Sequence, residues 1–419
     1  MIPRHCLPFG LGEVISVLLT RASAPGSSEL EQACAESLEA QAVVLVPSVR
    51  AGIHMTVQAA CRPGATAVSP AYTSPDVHDA LVMSGARPLL LDAGADSYLL
   101  SAAAVDANAN SRSAVVLSEV FGLPYEMLHR GGTPGAGYGV RILDLAMCIP
   151  AADRVRRLKD RDVAIYGFGW GKPMYAGWGG IACFQDNGLA NKVRNLRDQW
   201  LHPESRGVQL RCMRSIVLRT ALNERSVYGL WHAPLFQRLH ERSGLPREAE
   251  IRLPDNGAGD PAVLPRPGAA GFPDRNKYDE LPDRWTTPTT SFGRALIMRN
   301  LRSAEGNARI RRNQSGLYWG YLRETGIVRG LSEESLPQSH FPIRIPAAKR
   351  KAMCDYLRGF GIDAGRFWVF PAGPGRDSFP HAARVADEAI VLPLGPGISP
   401  EEVRWISERV KDGLRKLRL

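Results

Sequence analysis

Between about residues 28 and 150 the chain alternates short runs rich in β-branched residues with amphipathic stretches of helical period, and no other feature limits its fold so severely. Strands that alternate with helices pair in parallel, because each crossover consumes a dozen or more residues and the helices then cover both faces of the sheet. The predicted strands are Ala42–Val46, Ala65–Val68, Pro88–Asp92, Ala114–Ser118 and Arg141–Leu145, followed by Val163–Tyr166 and Ile181–Phe184. Between them, Leu30, Ala33, Cys34 and Leu38 share one helical face, and Val77, Ala80, Leu81 and Ser84 share another. An α/β layered domain follows.

At 419 residues the chain exceeds the usual single-domain size, so two packed domains are expected. The strand and helix rhythm breaks over residues 196–285, where arginines crowd the first half and residues 255–274 (DNGAGDPAVLPRPGAAGFPD) read as a Gly/Pro-rich loop or linker. A long amphipathic helix is predicted from Thr290 to Leu322, with Gly306 and Gly316 as its weak points. Beyond it lie a strand at Phe341–Ile345, a helix at Ala347–Phe360, a strand at Ala389–Leu392 and a last helix from Pro400. Ser399 as N-cap, Pro400 in the first turn and Glu402 three residues after the cap mark where that helix starts, and Val403, Ile406, Val410 and Leu414 form its apolar stripe. The expected division is 1–285 as a large domain with an atypical insertion at 196–285, 286–322 as a connecting helix, and 323–419 as a small C-terminal domain.

Composition narrows the function classes. Lysine and arginine number 52 against 42 acidic residues, a net charge of +10, which favours anionic partners such as nucleotides or phosphorylated sugars or simply a solvated basic surface. No clustered basic stripe with interleaved aromatics occurs, so nucleic acid is not an expected partner. The seven cysteines are scattered, odd in number and never spaced as CxxC, which indicates neither a disulfide framework nor a zinc site and suits a reducing, cytoplasmic compartment. The apolar run from Leu7 to Leu19 is interrupted by Glu13 and reads as a surface helix, and no stretch reaches the length of a membrane span.

Three segments carry residue types with chemical consequence. In YGFGWGKPMYAGWGGIACF, residues 166–184, a single lysine, Lys172, sits in a Gly- and aromatic-rich loop between two apolar strands. Burial against aromatics penalises an ammonium and frees the neutral amine to act as a nucleophile toward a carbonyl. In VRILDLAM, residues 140–147, Asp144 lies at the carboxyl end of a strand, the edge where parallel α/β sheets bind ligands. In VVLVPSVRAGIHMTVQAA, residues 43–60, a strand passes through a tight turn into a helix whose first amides suit a phosphate. Taken singly, each has a plainer alternative: a loop lysine reaching solvent, an aspartate capping a helix or turn, and an ordinary strand-to-helix connection.

In their order along the chain, these segments resemble the DegT/DnrJ/EryC1/StrS family of sugar aminotransferases, which are pyridoxal 5'-phosphate (PLP) enzymes of fold type I. The resemblance also covers CRPGATAVSPAYTSPDVHDALVMSGARPLLLDAGADSY, with its Pro-aromatic-Thr loop and strand ending in aspartate, and SEVFGLPYEM with its Gly-x-Pro loop. Near the end it covers FPIRI, RGFGID and SFPHAARVADEAIVLPLGPGISPEEV, and in all about two thirds of the chain. It implies a mostly parallel seven-stranded sheet in the large domain and a small C-terminal α/β domain. It implies that Lys172 carries the cofactor covalently and moves the proton of the transfer, and that Asp144 faces the pyridine nitrogen. By the same resemblance Ser48, Val49 and Arg50 hold the phosphate and Tyr72 or Ser74 faces the ring, in a homodimer that takes an amino group from an amino acid such as glutamate to a keto-sugar nucleotide.

The chain departs from the family pattern at several of these positions. Val49-Arg50 stands where the family has Gly-Thr, Gly167 where it has serine, Met147 where it has glutamine, and Ser74 where it has a ring-stacking aromatic. No clear counterpart of the family's Gly-x-Asn-x-Arg segment occurs in the Arg-rich insertion. Arg50 is the expected substitute for the two lost phosphate hydroxyls, through a charge-assisted grip. The alternatives are another PLP reaction on the same scaffold, which the retention of lysine in place of the deoxygenating branch's histidine disfavours, and a scaffold that binds a ligand without catalysis.

Overall fold

The computed structural model describes residues 1–19, 24–125, 137–232, 283–366 and 374–419. The Gly/Pro-rich stretch at 255–274 lies outside them. A seven-stranded sheet is built from β1 (Ala42–Val46), β2 (Thr66–Pro70), β3 (Arg87–Leu91), β4 (Ala114–Ser118), β5 (Val140–Asp144), β6 (Asp162–Gly167) and β7 (Gly180–Phe184). The strands lie in the order β1-β7-β6-β5-β4-β2-β3, and every pair is parallel except those that β7 makes with β1 and β6. The predicted strands sit within one or two residues of these bounds.

All five residues of β1, β4 and β5 are buried, because helices cover both faces of the sheet. On one face Val43 and Leu45 pack with Leu30, Cys34 and Leu38 of α2 (Ser27–Leu38), Val14 of α1 (Leu11–Leu19) and Val105 of α5 (Ala102–Asn108). On the other, Val44 and Val46 meet Ile53 and Val57 of α3 (Val49–Ala60), Val77 and Leu81 of α4 (Pro75–Met83) and Leu189 and Val193 of α6 (Asn187–Trp200). Ala33 and Ser84, at the rims of the two predicted helical faces, are only half-buried. In α1, Ile15 and Leu19 are exposed, as a surface helix requires.

After α7 (Arg206–Asn223), the predicted helix from Thr290 to Leu322 is two helices, α8 (Ser291–Arg302) and α9 (Ala304–Leu322). The break falls at Ser303 and not at either glycine. There the serine hydroxyl donates to the Asn300 carbonyl (3.2 Å), a local bond that competes with helix continuation. Gly306 and Gly316 face open space, so neither disturbs its helix.

The C-terminal portion pairs β8 (Phe341–Arg344) antiparallel with β9 (Ala389–Leu392). Around this pair pack α10 (Ala347–Gly359), α11 (Pro380–Glu388) and α12 (Pro400–Leu417). The α12 start is a closed capping box: the Glu402 amide donates to Ser399 Oγ (3.2 Å) and the Ser399 amide donates to Glu402 (2.9 Å). Val403, Ile406, Val410 and Leu414 are buried as predicted. The first residues of the chain join this end of the molecule. Ile2 bridges to Ile362 and His5 to Leu394, and Ile2 and Cys6 belong to the same apolar cluster as Phe341 and Ile390.

A polar stripe along α9 ties the two ends together. Arg311, 1% exposed, donates to the backbone carbonyls of Cys6, Gln338, Ser339 and Leu394 and to the Asn307 side chain. Asn307 donates to the Pro173 carbonyl (3.3 Å), and Asn300 of α8 donates to that of Tyr175 (2.9 Å). Two helices thus hold the lysine loop by its main chain.

Candidate active site

The carboxyl ends of β1, β4, β5 and β6 share one edge of the sheet, and β7, antiparallel to β6, starts at that edge and carries the chain away from it. In the register, Ser118 lies opposite Asp144 and Gly167 opposite Gly180, so the β6–β7 connection that bears Lys172 arches beside Asp144. Hydrogen bonds from the Phe168 amide to Gly179 O (2.9 Å) and from the Ala176 amide to Phe168 O (2.9 Å) close the base of that loop.

A cavity of about 310 Å³ opens there. Ser48, Val49 and Arg50 line it from the start of α3, Ser74 and Asp76 from the start of α4, and Ser118 and Glu119 from the end of β4. Asp144 and Met147 line it from β5 and the turn beyond, and Gly167, Trp170, Lys172 and Trp178 from the lysine loop. Of the residues expected from sequence only Tyr72 is elsewhere. It is 2% exposed and packs with Tyr98 and Phe121 in an apolar cluster, whereas Ser74 lines the cavity.

Asp144 is 7% exposed, and burial pushes its carboxyl above the ordinary carboxylate value against the pull of Lys172, of the Ala146 amide (3.1 Å) and of the nearby Ser118 hydroxyl. Burial likewise pushes the Lys172 ammonium below its ordinary value, opposed chiefly by Asp144. Both groups are displaced toward neutrality, which is what an amine needs to attack a carbonyl. The Lys172 ammonium rests on Met147, with Nζ 3.3 Å from Sδ.

At the other end of the cavity the Ser48 hydroxyl accepts from the Ala51 amide (3.1 Å) and so serves as the N-cap of α3. The first-turn amides of such a helix have no intrahelical acceptor and face outward. Arg50 stands beside them in an ion pair with Asp76. In the cavity wall after β4, Glu119 pairs with Arg154, accepts from Cys148 Sγ (3.2 Å) and donates its amide to Asp144 O (3.1 Å).

Residues 16–211 match the model of the DegT/DnrJ/EryC1/StrS aminotransferase family. That segment contains every residue lining the cavity. Among solved structures, the chain is similar to the aminotransferase TlmJ from Streptoalloteichus hindustanus, at 20% identity and TM-score 0.66 over 100% of both chains. It is similar to the sugar aminotransferase CalS13 from Micromonospora echinospora, at 18% identity and TM-score 0.62 over 99% of this chain and 100% of that one. A third likeness is NtdA from Bacillus subtilis, crystallised with the cofactor PMP, at 14% identity and TM-score 0.63 over 97% of this chain and 81% of that one. At these identities the likeness establishes the fold, a type I aminotransferase architecture along the whole chain.

Sequence reasoning missed Ser118, Glu119, Asp76, Trp170 and Trp178. The two tryptophans stood in the lysine loop itself, and their aromatic character was read only as the environment of Lys172. Glu119 and Asp76 gave no signal, since a carboxylate after a strand or in a first helical turn is ordinary.

Proposed function

We propose that this aminotransferase uses PLP to move an amino group from an amino acid, glutamate by preference, to a keto-sugar nucleotide. One observation carries the reading: a buried carboxylate and an amine pushed toward its neutral form open into one cavity at the carboxyl edge of the sheet. The donor set fits the cofactor. Lys172 would hold it covalently, Asp144 would face its pyridine nitrogen, and Ser48, Val49 and Arg50 at the start of α3 would meet its phosphate. When bound, PLP supplies an electron sink for the carbon that loses or gains the amino group.

The chain's own residues supply the rest. With the cofactor bound, Lys172 Nζ would move the proton of the transfer, a task suited to an amine displaced toward neutrality. Asp144 would pair with the protonated ring nitrogen of the bound cofactor and keep it positive. Met147 and the loop tryptophans shield the amine from bulk water. Ser74 and Gly167 are read as lining the ring and phosphate ends respectively.

The family and the sugar aminotransferase among the solved likenesses support a sugar acceptor, in surface-polysaccharide or secondary-metabolite sugar synthesis. We further read the protein as a cytoplasmic homodimer, with units 1–285, 286–322 and 323–419. All seven cysteines are free thiols, which agrees with a reducing compartment, and no helix among the described residues is long and apolar enough to cross a membrane. In the division of units, residues 1–6 go with the C-terminal one, given the Ile2 and His5 bridges.

The test is direct. Protein mixed with PLP should turn yellow and, after borohydride, carry the cofactor on Lys172 as read by peptide mass, whereas Lys172→Ala should remain unlabelled. A panel of keto-sugar nucleotides with labelled glutamate then names the acceptor. Protein that acquires no cofactor absorbance at saturating PLP would refute the reading and favour a non-catalytic scaffold.

A further inference from the structure

We propose that His5 and His340 form a hydrogen-bonded pair that positions the Lys172 loop, a role that rests on the reading of Lys172 as the cofactor lysine. His5 comes from the first residues of the chain and His340 from the residue before β8, yet their rings meet with Nδ1 of His5 3.0 Å from Nε2 of His340. On its far side, Nδ1 of His340 lies 2.7 Å from Ser339 Oγ. The His5 ring lies against the lysine loop. A Cβ built on Gly171 would stand 3.2 Å from both Cε1 and Nδ1 of His5, and Gly171 has φ +76, a backbone state that favours glycine. The same ring meets Trp170 at 5.9 Å between centroids. The two residues before Lys172 are thus seated on one imidazole.

The pair is itself held at the backbone. Arg311 donates to the Cys6 carbonyl (2.9 Å), next to His5, and to the Ser339 carbonyl (3.1 Å), next to His340, while Asn223 donates to the His5 carbonyl (3.0 Å). His340 is 2% exposed, and burial, reinforced by His5, Arg4, Arg311 and Lys172, keeps it neutral. A neutral ring offers one donor and one acceptor. In the arrangement where Ser339 donates to Nδ1 of His340, Nε2 of His340 donates to Nδ1 of His5, and the chain of bonds runs in one direction from β8 to the loop. Both imidazoles are positioning residues, since neither lies along the cavity wall. With the His5 ring filling the space under Gly171, the loop keeps the turn that aims Lys172 at Met147 and Asp144.

The experiment uses the full chain with fluorotryptophan incorporated, the Trp170 fluorine resonance being identified by Trp170→Phe, together with the rate at which Lys172 captures added PLP. His5→Ala and His340→Phe should shift or broaden the Trp170 resonance and slow capture by about tenfold or more, because small misplacements of a reacting group are costly. His340→Gln, which can still donate to His5, should stay within about threefold of the parent. Circular dichroism and melting curves report folding separately. Unchanged Trp170 resonance and capture in His5→Ala would overturn the proposal, and so would His340→Gln behaving like His340→Phe, which would reduce the pair to shape alone. If the parent captures no PLP, the cofactor reading falls, and the Trp170 resonance of the cofactor-free protein still decides whether the pair sets the loop.

Discussion

The isopropyl group of Val49 occupies the space that a side chain at position 167 needs: a Cβ built on Gly167 would lie 2.9 Å from Val49 Cγ2. Two departures from the family pattern, valine in the phosphate turn and glycine in the lysine strand, are therefore one packing change seen from both sides. Gly167→Ser alone should destabilise the protein by about 1–3 kcal/mol through overpacking. Paired with Val49→Gly the cost should largely vanish, and a double-mutant cycle from urea melts should give a coupling of about 1 kcal/mol or more. Additive effects would mean that the two positions do not share the space.

The direction of the Asp144 shift makes a prediction about pH. A carboxyl raised above its unfolded value binds more protons in the native state, so its ionisation costs stability as pH rises through the folded pKa. Asp144→Asn should therefore melt at a higher temperature than the parent at neutral pH, and the gap should close as pH falls below 3.8, the ordinary value at which the unfolded carboxyl takes up its proton. Amino transfer should be lost in the same variant. A variant that melts lower than the parent at pH 7 would show that the Lys172 attraction outweighs burial.

Glu119 and Arg154 form an ion pair with almost no solvent exposure on the carboxylate side. Glu119→Gln should leave the guanidinium uncompensated and cost about 3–5 kcal/mol in denaturant melts. Adding Arg154→Met should recover much of that loss, since an apolar replacement of both partners removes the desolvation penalty as well.

Arg311 serves four carbonyls from three separate stretches of chain, and burial pushes its guanidinium down to about 10. Lysine keeps the charge but presents a compact ammonium that cannot span those acceptors. Arg311→Lys should cost about 2–3 kcal/mol in stability and loosen the first residues of the chain, seen as faster amide exchange at Cys6 than at Val116 of β4.

Much of the local architecture was legible because it rests on local rules. Five of the seven large-sheet strands are short, fully buried runs, and the α12 cap is spelled out by Ser399, Pro400 and Glu402 within a few residues. The long helix was misread because its break at Ser303 depends on a serine hydroxyl turning back to Asn300, a choice that propensity does not record. Tyr72 and Ser74 stay alternatives in the sequence because a turn can present either one, and only the surrounding cluster of Tyr98 and Phe121 selects which one is buried.

By itself the sequence determined the α/β class and the strands, and it marked Lys172 and Asp144 as candidates by residue type and position. It could do so because hydrophobic period and residue type are local properties. Only the tertiary structure decided that β6, beside β5, delivers Lys172 to the edge where Asp144 sits, that Val49 fills the space beside Gly167, and that His5 reaches the lysine loop. Those relations join residues far apart in the chain, and their free energy comes from packing and buried hydrogen bonds that exist only once the fold has closed.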